Sequence, residues 1–241
     1  FAFYDFYLNA GIVGNPSLTR GQIQNFDIRY EMYPGQNQLF SVSLFYKKFT
    51  NPIEFTFSSL GAGTRTFTYQ NVAGAKNYGA ELELRKNLAF INDRLENLTF
   101  FTNAAFIRST IDLSNAEVYD TTRALQGQSP YIINAGLTYN LPDWGLSTTL
   151  VYNVIGDRVA QVGTAGYADI YERHRNLLDF QLSKRFGARG ELKLTWGDIL
   201  RPYFIFYQDN DSNHKFNEDK DNIMQRINYG STITLSAAYR L

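Results

Sequence analysis

The sequence predicts an all-β fold, an antiparallel transmembrane β-barrel segment of about nine strands, on three observations. The first is period-two alternation: in Tyr78 to Arg85, Tyr78, Ala80, Leu82 and Leu84 fall on one side while Gly79, Glu81, Glu83 and Arg85 fall on the other. The second is length, since runs of about 10–13 residues exceed the ordinary soluble strand and match a tilted bilayer crossing. The third is the sorting of the connections, which alternate short and long along the chain. Alternation alone fits either a soluble sandwich or a membrane barrel with a wet lumen. Short turns on a periplasmic rim and long extracellular loops on the other favour the barrel.

Each element follows in order. Residues 1–20 open with an aromatic cluster and close on Gly14-Asn15-Pro16-Ser17, so they read as extended and irregular. Gln24 to Tyr33 alternates Phe26, Ile28, Tyr30 and Met32 against Asn25, Asp27, Arg29 and Glu31. Pro34-Gly35-Gln36-Asn37 turns the chain, and Gln38 to Phe49 returns as a hairpin. Residues 50–67 read as a long Ser/Thr/Gly-rich connection, followed by the strand that ends near Lys86. A connection of intermediate length, 87–97, has its turn at Asn92-Asp93. Leu98 to Ser109 is a strand of unsettled facing, because Leu98, Phe100 and Phe106 compete with Phe101, Ala105 and Ile107.

After a polar loop over 110–127, Ser129 to Asn140 pairs through Pro142-Asp143-Trp144-Gly145 with a return strand carrying Leu146, Thr148, Leu150, Tyr152 and Val154. Residues 156–172 read as a long loop. Arg175 to Phe186 turns at Gly187-Ala188-Arg189-Gly190 into a long strand from Glu191 to Tyr207, bulged or broken at Pro202. A very polar loop spans 209–221, and Tyr229 to Leu241 is the last strand. The apolar positions Phe26, Ile28, Tyr30, Leu82, Leu84, Leu137, Leu150, Phe180, Leu194 and Leu235 are expected to face lipid, their neighbours the lumen.

Composition agrees. Of 241 residues 16% are aromatic, with 17 Tyr and 19 Phe, which suits interfacial girdles. Net charge is zero, so no basic face announces a nucleic-acid partner. The chain lacks Cys and has two His, which leaves neither disulfides nor a His-rich metal cluster. Mean hydropathy is −0.31, compatible with a barrel because half of each strand faces water. No G-x-S-x-G or other nucleophile constellation is present, so no enzyme is expected.

Candidate ligand-binding residues are the loop aromatics Tyr4, Tyr7, Tyr167 and Tyr171, which offer faces for stacking or pack the loops. Asp209, Asp211 and Asn213 stand at positions one, three and five of a calcium-loop pattern. They make loop 209–221 a candidate Ca2+ site, although His214 replaces the expected Gly and Lys220 the expected Glu.

Four stretches resemble the TonB-dependent outer-membrane receptors. They are GNPSL at 14–18 with NFDIRYEMYP at 25–34, QNVAGAKNYGAELELRK at 70–86, RALQGQSPYIINAGLTYN at 123–140 and NYGSTITLSAAYRL at 228–241. The resemblance is greatest to the Bacteroidetes type that carries a carboxypeptidase-regulatory-like domain. It implies a roughly 22-stranded barrel around a plug domain. It also implies energised uptake of a scarce nutrient (siderophore, vitamin, glycan or peptide) across the bacterial outer membrane, with lipid around the wall. Residues 1–241 would be the C-terminal portion of that barrel, with the plug domain absent from this chain. The TonB complex would be reached through the missing N-terminal part. Leu241 stands where the family usually ends on an aromatic. A porin or adhesin-like structural barrel is the alternative. With a start in a long-loop region and an end on the short-turn side, the chain is expected not to close a barrel alone. The first and last strands should not pair, and by the resemblance about thirteen crossings should precede Phe1.

Overall fold

A computed structural model describes residues 2–5, 10–59, 65–114, 123–164 and 166–240. In chain order the strands are β1 (Ala2–Asp5), β2 (Ala10–Val13), β3 (Gln22–Met32), β4 (Leu39–Thr50), β5 (Ile53–Ser59), β6 (Arg65–Asn71) and β7 (Gly74–Asn87). There follow β8 (Leu98–Asp112), β9 (Tyr131–Leu141), β10 (Leu146–Ile155), β11 (Arg158–Gly163), β12 (Ile170–Glu172) and β13 (Arg175–Phe186). The last are β14 (Gly190–Gly197), β15 (Phe204–Gln208), β16 (Asn222–Ile227) and β17 (Thr232–Tyr239).

Nine of these form one antiparallel wall in the order β17-β14-β13-β10-β9-β8-β7-β4-β3. They occupy the nine positions expected from the alternation. β3 and β17 lie at opposite ends of the wall and do not pair, so the sheet is open. Register carries one apolar face across the wall, as in the rows Ile28–Leu44–Ala80–Phe106–Tyr131 and Phe100–Leu137–Leu150–Phe180–Trp196–Ile233. All ten residues expected to face lipid lie on this face. On the interior strands Leu44 is 54% exposed and Phe106 55%, large apolar side chains that suit a non-aqueous neighbour.

Pairing also settles β8. Phe106 stands beside Ala80 and Phe100 beside Leu137, so Leu98, Phe100 and Phe106 belong to the apolar face and Phe101 and Ile107 to the polar one. Sequence alone left this open because both faces of β8 carry aromatics. Two bulky rings on the polar face are accommodated by glycines directly opposite, Phe45 over Gly79 and Phe101 over Gly136. A Cβ at Gly136 would come within 2.3 Å of the Phe101 ring, and one at Gly79 within 2.2 Å of the Phe106 carbonyl.

The polar face is hydrogen-bonded across strands. Asn103, Asn134 and Asn153 share a row, with Asn153 donating to Asn134. Arg29 bridges Glu31 on its own strand and Glu83 on β7, the latter at 2.9 Å. Glu81, Glu83 and Arg85 all lie on this polar face, as solvated lumen residues should. On the short-turn rim, the expected turn at Asn92-Asp93 is a 3-10 turn, Asp93–Leu95, capped by the Asn92 side chain accepting from Arg94 N at 3.0 Å.

The long connections differ most from the sequence reading. The 50–67 and 156–172 connections are not irregular: they hold the hairpins β5/β6 and β11/β12. Residues 2–13 likewise contain β1 and β2. The long strand expected from Glu191 to Tyr207 stops at Gly197, because Asp198 and Arg201 take positive φ (53° and 49°) before Pro202. The chain re-enters as β15 and returns as β16. Together these form a second, eight-stranded sheet in the order β1-β2-β6-β5-β11-β12-β15-β16, erected on the long-loop rim of the wall. Two of its pairs, β2/β6 and β5/β11, are parallel. Such pairs join strands far apart in sequence, which period-two reading along one strand cannot see. Its two faces bury separate clusters, one around Ile12, Phe57, Phe67 and Ile170, the other around Val159, Val162, Tyr171, Ile205 and Tyr207.

Candidate functional site

One buried cation ties the long connections together. Arg123, 1% exposed, donates through both terminal nitrogens to Glu54, at 2.9 and 2.6 Å, and its Nε lies 3.2 Å from Asp169. Burial alone would pull the guanidinium pKa down, but the Glu54 hydrogen bond and the Glu54 and Asp169 charges more than offset this and raise it. Gln126 completes the tie: its N–H donates to Glu54, while its side chain accepts from Phe55 N at 2.6 Å and donates to Ala160 O at 2.8 Å. Three long connections are thereby joined side chain to backbone. The sequence reading missed Glu54 and Asp169. The available signal was Ile53-Glu54-Phe55-Thr56-Phe57, a lone carboxylate in a strand pattern, and Arg123 at the head of the RALQGQSP stretch.

Beside this tie is a cavity of about 730 Å³ at the seam between the end of β8, the start of β9 and the loop sheet. Its apolar lining includes Val159, Tyr171 and Phe216; its charged lining includes Arg108, Arg158, Arg173, Lys215 and Asp157, with His174 and His214. Asp157 is fully engaged. It accepts from His174 N at 2.8 Å, its Oδ1 lies 2.6 Å from His174 Nδ1, and Tyr207 Oη donates to its Oδ2 at 3.1 Å. Burial first, then the Asp157 carboxylate, push the Tyr207 phenol well above its ordinary range, so it remains a donor.

Of the candidate aromatics, Tyr171 is buried, stacked on Tyr207 with ring centroids 5.8 Å apart and on His214 at 5.6 Å. Tyr167 stands apart, near Phe57 at 6.3 Å. The two therefore belong to different clusters and do not form one platform. Tyr4 lies on β1, and Tyr7 falls outside the described residues.

In the acidic loop, carboxylate oxygens of Asp209, Asp211 and Asp221 approach within 4.8 Å of one another. Asp209 is buried and accepts from His214 N at 2.8 Å and Asn213 N at 3.3 Å; burial raises its pKa against those bonds. Asp221 thus joins Asp209 and Asp211, and the Asn213 side chain accepts from Lys215 N at 2.8 Å. Burial works to raise the Asp211 pKa, but Lys220, 3.2 Å away, together with hydrogen bonds to the carboxylate, holds it below the usual range.

Comparison with known proteins supplies the family. The family model described as TonB dependent receptor-like, beta-barrel matches residues 2–197. No curated protein matches the chain. Among solved structures, the copper transporter OprC superposes with a TM-score of 0.65 at 16% identity, covering 93% of this chain and 32% of its own. The ferric yersiniabactin uptake receptor of Yersinia pestis gives 0.61 at 15% identity, covering 91% and 30%. A ferric enterobactin receptor mutant of Pseudomonas aeruginosa in complex with enterobactin gives 0.59 at 16% identity, covering 95% and 33%. The chain thus spans about a third of the length of these proteins. A one-face-apolar antiparallel wall, hairpins raised on a single rim and a family match over most of its residues lead to one assignment: the chain belongs to the TonB-dependent receptor β-barrel family of the bacterial outer membrane.

Proposed function

We propose that this chain is the C-terminal wall and part of the extracellular vestibule of a receptor that takes up a scarce nutrient with energy delivered by the TonB complex. One observation carries the reading: a nine-stranded antiparallel wall, apolar on one face, that sorts its short turns to one rim and its hairpins to the other. The unpaired backbone along β3 and β17 calls for further strands, and the solved relatives are about three times as long. Those strands, with a plug domain and the TonB contact, would lie in the rest of the receptor. The Bacteroidetes type with a carboxypeptidase-regulatory-like domain is the narrower assignment, supported by the four quoted stretches. The names of the similar structures mention ferric enterobactin, ferric yersiniabactin and copper, so a chelated or free metal joins vitamins, glycans and peptides as the nutrient to be tested.

The experiment is uptake by cells carrying the full receptor, with labelled members of each nutrient class, in the presence and absence of a working TonB complex. Saturable uptake of one class that disappears without TonB is the expected result. Uptake that persists without TonB would replace the receptor with a porin.

A further inference from the structure

We propose that the cavity between the β8–β9 rim and the loop sheet binds an anionic group of the carboxylate or phosphate class. Four permanent cations line it, Arg108, Arg158, Arg173 and Lys215, against Asp157 as the sole carboxylate of the lining among the described residues. That carboxylate keeps its charge, but its oxygens are taken up by His174 and Tyr207 and it pairs with none of the four cations, which still outnumber it. Arg158 is committed to Glu172, at 2.7 and 2.9 Å. Arg108, Arg173 and Lys215 have no carboxylate within ion-pair distance among the described residues. Arg173 lies over the Phe216 ring at 4.8 Å, a contact that orients the guanidinium without neutralising it.

Such clustering of like charges around a partly enclosed space is unfavourable until an anion enters, and low-dielectric walls such as Val159 and Tyr171 concentrate the field. Arg and Lys donors at one site suit planar carboxylate and tetrahedral phosphate oxygens. The same field repels a bare metal cation, so a metal cargo would enter this cavity only inside an anionic chelate. Arg108 stands beside Tyr78 in a row that continues through Tyr46 and Phe26 on the apolar face, so a lipid headgroup at the wall and a free anion in solution can both reach the cluster. The inference does not depend on TonB-driven uptake, since binding is read on purified receptor.

Calorimetry on the full-length receptor in detergent, titrated with citrate and with inorganic phosphate, tests the free anion. Co-sedimentation with phosphatidylglycerol vesicles, set against phosphatidylcholine vesicles, tests the headgroup. Binding in either arm is expected to weaken at least about tenfold in an Arg173→Gln/Lys215→Gln double variant and to fall with added salt. Lys215→Gln alone, at an exposed side chain whose loss leaves the packing intact, should weaken it about threefold. Lys193→Gln, on the polar face of the wall near the opposite rim, should leave it unchanged. Absence of binding in both arms, or binding that the double variant leaves unchanged while its circular dichroism matches the wild type, would overturn the proposal.

Discussion

The wall and the loop sheet are both β-structure, yet they are held by different physics. In the wall every strand pairs antiparallel with its neighbours in long uninterrupted registers, twelve pairs between β4 and β7 and fourteen between β7 and β8. Its apolar side chains lie on the outside and its polar ladders on the inside. In the loop sheet the strands are short and two pairs are parallel. Registers shift between Val159 and Gln161 and between Phe206 and Tyr207, and a fully buried Arg–carboxylate cluster sits at the centre. The wall is specified by local alternation and stabilised by lipid; the loop sheet is specified by contacts between distant segments and stabilised from within.

The largest expected effect breaks that contrast at Arg123. Arg123→Ala leaves Glu54 and Asp169 buried without their cation, at a cost of about 3–5 kcal/mol. Limited proteolysis should cut the loop region while the wall keeps its strand signal in circular dichroism. If loops and wall melt together, the two regions are one cooperative unit. Next, Leu82→Arg or Leu235→Arg should destabilise the receptor in bilayers by about 2–4 kcal/mol, while Glu81→Gln on the opposite face should cost little. Chemical denaturation in vesicles measures both, and equal tolerance of the two faces would reverse the assigned facing.

Glycine substitutions sharpen the comparison inside the wall. Gly79→Ala meets the Phe106 carbonyl, which cannot step aside, whereas Gly136→Ala meets chiefly the Phe101 ring. Each is expected to cost about 1–3 kcal/mol by overpacking, and Phe101→Leu should rescue Gly136→Ala in part, with no counterpart rescue at Gly79 through Phe45→Leu.

The smallest effect concerns the acidic loop, where calcium remains a proposal. The grouping of Asp209, Asp211 and Asp221 around a loop whose Asp211 is already paired with Lys220 favours millimolar affinity at most. Calorimetry should show a weak heat with calcium that Asp211→Ala removes. A wild-type titration without such a heat withdraws calcium from the loop.

Alternation of side chains, strand length and the sorting of turns were enough for the sequence to determine the nine crossings, their facing on eight of nine strands and the open wall. Each of these is a local property: period two follows from the pleat, and a bilayer demands about ten residues per crossing. The strand pairing that settles β8, the ring-over-glycine contacts, the second sheet, the Arg123 cluster and the cationic cavity were decided only by tertiary structure. Glu54, Arg123 and Asp169 are far apart in the chain, and each is an ordinary polar residue in its own segment. Long-range pairing brings them to one buried point, where the energy of an uncompensated charge makes their meeting obligatory.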